Sequence, residues 1–198
     1  MAANTYLTPE ERTLLESVRV GIAGAGGLGS NCAMHLVRSG VKHITIADFD
    51  VVNESNLNRQ FFFRDQIGQK KVEAIKENLL RIEPDADIRA VDMRLDASSA
   101  REVFADCDIV VEAFDAVDAK VMLVSAFASS GKKLVTASGL AGWGRSNAMR
   151  VRKMGNIVAI GDGETSVGNG AAPASPRVGI AAAMEANAVV SLLLGCEP

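Results

Sequence analysis

Apolar positions along this chain fall into two alternating rhythms. Val18, Val20 and Ile22 mark a short apolar strand, and 43–47, 87–91, 109–113 and 134–136 read as further strands of the same kind. Between them lie segments of helical length: 27–39, stopped by Gly40; 68–82, ended before Pro84; 97–105; and 117–130. Ahead of the first strand, Thr8-Pro9-Glu10-Glu11 supplies a capping hydroxyl, a proline at the first helical position and an acid at the third. That combination predicts a helix over Pro9–Ser17. Strands alternating with helices predict an α/β domain with a doubly wound, mostly parallel sheet.

Past Thr136 the rhythm changes. A glycine-rich connection at 138–144 leads to short strands at 147–152 and 157–160, which read as a C-terminal antiparallel extension of the sheet. The polar, glycine-rich stretch 161–176 is too long for a simple turn and reads as a mobile or binding loop. The apolar segment 178–194 predicts a largely buried final helix. With no internal repeat and no charge block, residues 1–198 read as one domain.

Composition narrows the picture modestly. A chain of 198 residues, 48% hydrophobic and 23% charged, can bury one substantial core. A net charge of −3 offers no general basic surface, so nucleic acid is not an expected partner. No apolar run is long enough to span a membrane, and the first residues lack the pattern of a signal peptide. The three unpatterned cysteines, Cys32, Cys107 and Cys196, suit a reducing compartment, and a cytoplasmic location is expected. They form no Cys-x-x-Cys pair, so no structural zinc site of that design is expected. Cys32 and Cys107 read as small core residues, and His35 and His43 as structural.

The candidate chemistry begins where the first strand runs into Gly24-Ala25-Gly26-Gly27-Leu28-Gly29-Ser30. Gly24, Gly26 and Gly29 form a G-x-G-x-x-G turn, which brings backbone amides to a phosphate at a helix N-terminus. Asp48 closes the next strand, about 20 residues beyond the last glycine, where a carboxylate meets a ribose hydroxyl. On this motif alone the ligand is ambiguous, since such a turn normally suggests a dinucleotide. Downstream, Arg59 and Lys71 fall on a long polar loop and a helix start after the same strand, where two cations can converge on a polyphosphate. Asp115 ends the strand 109–113 region at the same sheet edge. It reads either as a Mg²⁺ ligand or as the N-cap of the helix near Val117.

Taken together, Gly24 to Ser30, Asp48-Phe49-Asp50, Ser55-Asn56-Leu57-Asn58-Arg59-Gln60, Gly68-Gln69-Lys70-Lys71 and Asp115 resemble the HesA/MoeB/ThiF family, the bacterial relatives of ubiquitin-activating enzymes. Within it the likeness is to short ThiF-like proteins of thiamine biosynthesis. The resemblance implies a Rossmann-like fold and adenylation of the C-terminal glycine of a small ubiquitin-fold sulfur carrier ending in Gly-Gly, with ATP and Mg²⁺ consumed or bound and pyrophosphate released. By position it implies a nucleotide-binding set of Gly24, Gly26, Gly27, Gly29, Asp48, Asp50, Ser55, Asn56, Arg59, Gln60 and Lys71. Arg59, Lys71 and Asp115 are implied in catalysis, with Asp115 as the metal ligand. A homodimer is implied too, with Phe61-Phe62-Phe63 either anchoring its loop or lying in the interface. Trp143 either lines the groove for the carrier's tail or is a core or dimer-contact aromatic.

The chain departs from the family pattern at Ala116, which replaces the usual Asn, and at Arg12, which does not align with the arginine that reaches a partner subunit's ATP, while Lys120 keeps the charge of a basic residue of the nucleotide site. The absence of cysteine from 161–176 implies a reaction that stops at the acyl-adenylate. Other readings stay open at this stage: a molybdopterin carrier or a tRNA base as substrate, an NAD(P)-dependent oxidoreductase, and a nucleotide-binding scaffold without catalysis.

Overall fold

In the computed structural model, residues 6–165 and 172–198 are described. The element order is α1 (Pro9–Ser17), β1 (Arg19–Ala23), α2 (Gly27–Arg38), β2 (His43–Asp48), α3 (Lys71–Leu80), β3 (Asp87–Asp92), α4 (Ala97–Val103), β4 (Ile109–Glu112), α5 (Val117–Phe127), β5 (Lys133–Ala137), β6 (Arg150–Met154), β7 (Ile157–Gly161) and α6 (Ser175–Leu193). Short 3₁₀ turns at Glu54–Asn56, Arg64–Gln66 and Ser146–Ala148 punctuate the connections. The sheet runs β3-β2-β1-β4-β5-β7-β6. Every pairing is parallel except β6 with β7. The strand order reverses between β1 and β4, so the crevice for a ligand opens at their carboxyl ends.

Most element boundaries follow the sequence pattern. The capping box of α1 is formed as expected, with Glu11 N donating to Thr8 Oγ1 at 3.2 Å and Thr8 N to Glu11 Oε2 at 2.8 Å. α3, α4 and α5 end two or three residues earlier than expected, at Leu80, Val103 and Phe127, and three starts move by three residues. α3 begins at Lys71 rather than at 68, because Gly68 has φ +90° and its N–H bonds Val52 O at 2.8 Å. Residues 68–70 thus pair with Val51 and Val52 instead of joining the helix. β6 starts at Arg150, because Asn147 lies in the 3₁₀ turn that follows the left-handed Arg145 (φ 51°). α6 starts earlier than expected, with Pro176 accommodated in its first turn.

The sheet is covered on both faces. One core layer joins Leu15, Ile22, Leu36, Ile44, Ile75, Ala182 and Val189 under α1, α2, α3 and α6. The other joins Ala23, Val103, Phe104, Val110, Leu123 and Phe127 under α4 and α5. Residues of β1 alternate between the layers, and Gly21 is required there: a Cβ would stand 2.5 Å from the ring of Phe104. Part of loop 161–176 lies outside the described residues; of the rest, 172–174 precede α6 and Gly142 N donates to Ala172 O at 2.8 Å.

A polar cluster interrupts the core near the carboxyl edge. Glu112, fully buried at the end of β4, accepts from Phe114 N (2.8 Å), Thr136 Oγ1 (2.6 Å) and Lys120 Nζ (2.9 Å). Glu185 of α6 is equally buried, and neither of its oxygens has a partner among the described residues. Burial raises its carboxyl pKa well above 4.5, and the Glu112 charge adds to this while Lys120 opposes it. The folded state therefore holds a proton that the unfolded chain releases above about pH 4.5, and stability falls as pH rises through that window. Glu185→Gln should raise the melting midpoint at pH 7 by roughly 2–4 °C, equivalent to about 1 kcal/mol in a chain of this size. The gain should fade as pH falls toward 4.5, which thermal melts across a pH series would read.

Candidate active site

The glycine turn sits at the switch between β1 and β4. Gly24 takes φ +105° and its N–H bonds Ala47 O at 2.8 Å, which carries the chain directly over the end of β2. A side chain at Gly29 would run into the carbonyl of Gly24, so this glycine is demanded by the turn itself. Gly26 differs: the nearest atom to a Cβ there is Gln60 Nε2 at 3.9 Å, so the fold leaves that space open. α2 then starts at Gly27 with no side chain capping its first amides, which leaves them to an anion. Asp48 lies beside the turn, its Oδ2 accepting Ala25 N at 2.7 Å and its Oδ1 accepting Asp50 N at 2.8 Å. Each carboxylate oxygen keeps a second lone pair, so this geometry orients Asp48 and still lets it accept two hydroxyls.

The loop after β2 carries the cations. Lys71, at the first position of α3, is 6% exposed, and its ammonium lies 2.7 Å from Asp50 Oδ2. Of the two expected cations this is the fixed one, and Asp50 is its holder. The ammonium and the positive end of α3 add to one another in favouring an anion at this point. Arg59 is half-buried, with its stem against Gly27 and one guanidinium nitrogen donating to Ser55 O (3.2 Å) and Asn58 Oδ1 (2.9 Å). Its Nε and other nitrogen have no partner among the described residues. Asn56 uses Oδ1 to accept Asn53 N at 3.0 Å, and the Ser55 hydroxyl is exposed. Gln60 is buried beside Gly26, and its Oε1 has no partner among the described residues.

Two polar residues that sequence reasoning passed over hold this loop in place. Asn31 Nδ2 donates to Gly27 O (2.7 Å) and Arg59 O (2.9 Å), and Ser30 Oγ accepts Phe61 N at 3.0 Å. Their one visible signal is their place, polar residues on the first turns of a helix that is otherwise apolar inward. Of the three phenylalanines, Phe62 is buried in the core and Phe61 half-buried, so the run anchors the loop, and Phe63 is 45% exposed.

Asp115 lies beyond β4 at the same edge. It is exposed, makes no hydrogen bond among the described residues and does not cap α5, whose N-cap is Ala116 without a side-chain bond. The capping reading of Asp115 therefore gives way. Lys120 pairs with Glu112 and donates to Ala137 O at 3.0 Å, at the carboxyl ends of β4 and β5. No group of three or more His, Cys, Asp or Glu stands together among the described residues as a protein-built metal cage. A lone free carboxylate suits Mg²⁺, which completes its shell with water and phosphate oxygens.

The thiols and imidazoles stand elsewhere. Burial, with Glu185 nearby, pushes the Cys32 thiol up, and burial, with Asp106, pushes Cys107 up to about 11, so neither is a thiolate at neutral pH. Cys196 is exposed, three residues beyond α6. His43 opens β2 at the amino end of the sheet, 3.1 Å from Asp87, and His35 lies in the last turn of α2, its pKa lowered by burial and then by Arg38. No helix among the described residues is long and apolar enough to cross a membrane.

A glycine turn, a strand-end carboxylate and the loop that carries Lys71 and Arg59 gather at the switch point of a doubly wound α/β domain, where open sheets of this kind bind their ligands. Residues 3–198 match the ThiF family, and the chain belongs to it. It is 34% identical over 142 residues to the adenylyltransferase and sulfurtransferase UBA4 of Candida glabrata, covering 71% of this chain and 33% of that protein. It is 39% identical over 104 residues to the molybdopterin-synthase adenylyltransferase of Escherichia coli, covering 52% and 42%. The chain thus spans less than half the length of these curated relatives. The solved structure of E. coli tRNA N6-threonylcarbamoyladenosine dehydratase, TcdA, in complex with ATP is 21% identical and superposes with a TM-score of 0.87, covering 94% of this chain and 90% of that one.

The two glycines separate binding from folding. Gly26→Ala should fold normally, with a melting midpoint within about 2 °C of wild type, and bind ATP at least about tenfold more weakly. Gly29→Ala should lower the midpoint by about 5 °C or more. Calorimetric titration and thermal melts on both variants would check the contrast.

Proposed function

We propose that this chain uses ATP to adenylate the C-terminal glycine carboxylate of a small ubiquitin-fold sulfur carrier ending in Gly-Gly, releasing pyrophosphate, with a thiamine-pathway carrier as the first expected substrate. The observation that carries the reading is Lys71, buried at a helix N-terminus with its ammonium held by Asp50 beside the strand that ends in Asp48. An ammonium held there suits the neutralisation of a nucleotide's phosphates.

In this reading the amides of the glycine turn and Gly26 cradle the phosphates, and Asp48 accepts the ribose hydroxyls. Lys71, Arg59, Asn56 and Ser55 engage the phosphate oxygens, while Gln60 offers its orphan oxygen or amide beside Gly26. Asp115 holds Mg²⁺, whose positive charge helps neutralise the phosphates when it is bound. The nucleophile is already a carboxylate, so no general base is needed. What the chain's residues supply is position and positive charge where charge builds on the α-phosphate and the leaving pyrophosphate. With Cys32 and Cys107 buried as thiols and no cysteine in 161–176, the chain's own chemistry ends at the acyl-adenylate, and sulfur comes from another protein. A homodimer and a cytoplasmic location belong to the same reading. The identity to a molybdopterin-synthase adenylyltransferase favours a molybdopterin carrier as the second substrate to try.

The test is ATP–pyrophosphate exchange with Mg²⁺, alone and with a panel of carriers ending in Gly-Gly. Exchange should require one carrier and fall by about 10²–10³-fold in Arg59→Ala and in Lys71→Ala, the loss typical of removing one transition-state donor. Arg59→Ala should melt like wild type. ATP binding with silence toward every carrier would overturn the reading.

A further inference from the structure

The first turn of α6 buries two neighbours, Arg177 and Val178, while Ser175 and Pro176 ahead of them are exposed. Arg177 is the largest fully buried side chain among the described residues. Its guanidinium pairs with Asp162, donates to Gly144 O at 2.7 Å and reaches Gly139 O at 3.5 Å. Asp162 in turn accepts Glu164 N (2.8 Å) and Thr165 N (2.9 Å). A buried ion pair seldom adds net stability over apolar packing. What this one does is fix where α6 begins, against the loop after β5 and the loop after β7.

Val178 is 4% exposed, yet among the described residues it joins neither of the two core layers. Successive helical residues point about 100° apart, so a helix pinned through Arg177 has a set direction for Val178. That direction is the opening of α2: a Cβ on Gly27 would stand 2.9 Å from Val178 Cγ1, 3.5 Å from Arg59 Cγ and 3.7 Å from Arg59 Cδ. The start of α2, the first turn of α6 and the stem of Arg59 thus meet at one point. The bare backbone of Gly27 is what lets the other two approach it.

Arg59 has a use for such a wall. Its backbone is tied to α2 by Asn31, and one nitrogen of its head donates to Ser55 O and Asn58 Oδ1 in its own loop. Between these two fastenings lies a methylene stem with several rotatable bonds. An arginine gives up much rotamer freedom when a ligand holds its head, and packing the stem on apolar surface beforehand lowers that cost.

We propose that Val178 is a positioning residue for Arg59: its methyl, held over Gly27 by the Arg177 anchor, fixes the arginine stem so that the guanidinium meets the nucleotide's phosphates. This rests on the reading above in which Arg59 engages phosphate, and it makes the start of α6 part of that site.

Calorimetric titration with ATP and Mg²⁺ tests it in wild type, Arg59→Ala, Val178→Ala, Val178→Thr and the double variant Arg59→Ala/Val178→Ala, with thermal melts on each. The ATP Kd should rise about tenfold in Arg59→Ala and about fivefold in Val178→Ala. In the double variant it should match that of Arg59→Ala within about twofold, since a wall acts only through the stem it supports. Val178→Thr keeps the branched shape but buries a hydroxyl, so its melting midpoint should fall by about 2–6 °C while its ATP Kd stays within about twofold of wild type. A merely structural role would make the Kd follow the midpoint. An unchanged Kd in Val178→Ala overturns the proposal, and so does a Val178→Ala effect that persists without Arg59. Equal losses in Val178→Thr and Val178→Ala overturn it as well; a weakened Val178→Thr does so even where Val178→Ala fails to fold. Unchanged ATP affinity in Arg59→Ala overturns the assignment of Arg59 to the phosphates and this proposal with it. ATP binding is read without a carrier, so the adenylation reading and this proposal fail separately.

Discussion

The closeness with which the chain doubles back between Gly24 and Gly29 sets the terms for everything at the carboxyl edge. The carbonyl of Gly24 fills the volume where any side chain at 29 would begin, so α2 is drawn against the end of β1 and its opening amides face the crevice. From that position α2 presents Ser30 and Asn31, and these fasten the loop that carries Arg59. A longer turn would move both anchors, and the cation with them. The place of the charged side chain thus depends on the backbone geometry of the turn.

The long connection from β2 to α3 shows how an irregular segment is made rigid without a sheet or helix of its own. Val52 bonds Gln69 at one end, Gln66 and Asn78 bond one another underneath at 2.9 Å, and Phe62 drops into the core. Three kinds of fastening, ladder, buried amide pair and apolar anchor, hold a loop whose outer surface stays polar. Electrostatically the segment then sets Lys71 against Asp50, so the ammonium has a place before any ligand arrives.

Where the chemistry is encoded locally, the sequence was readable. The spacing of Gly24, Gly26 and Gly29, the position of Asp48 and the capping box of α1 each involve residues within one turn or one βαβ unit, and the alternation of apolar runs carried the sheet with it. The start of α3 was misplaced because a single positive φ at Gly68 outweighs helical propensity, and its pairing partner lies on the far side of the loop. Lys120, a basic residue of the nucleotide site by resemblance, is paired with Glu112, a buried carboxylate whose burial no local pattern announces. Asp162 and Arg177 are likewise joined only by the packing of α6 against loops from two strands. What stayed hidden was pairing between polar groups brought together from distant segments. Periodicity has no term for it.

The reliance of α2 on α6 has a consequence for assembly. These two helices pack side by side, although well over a hundred residues separate them along the chain. As the polypeptide leaves the ribosome, the strands and helices of the first half can form while the apolar side of α2 still faces water. Only when α6 emerges does that side close, and with it come Val178 against Gly27 and Arg177 against the two loops. The step that completes the core is therefore the step that completes the rim of the crevice, so a chain caught before it has neither a sealed interior nor a finished site.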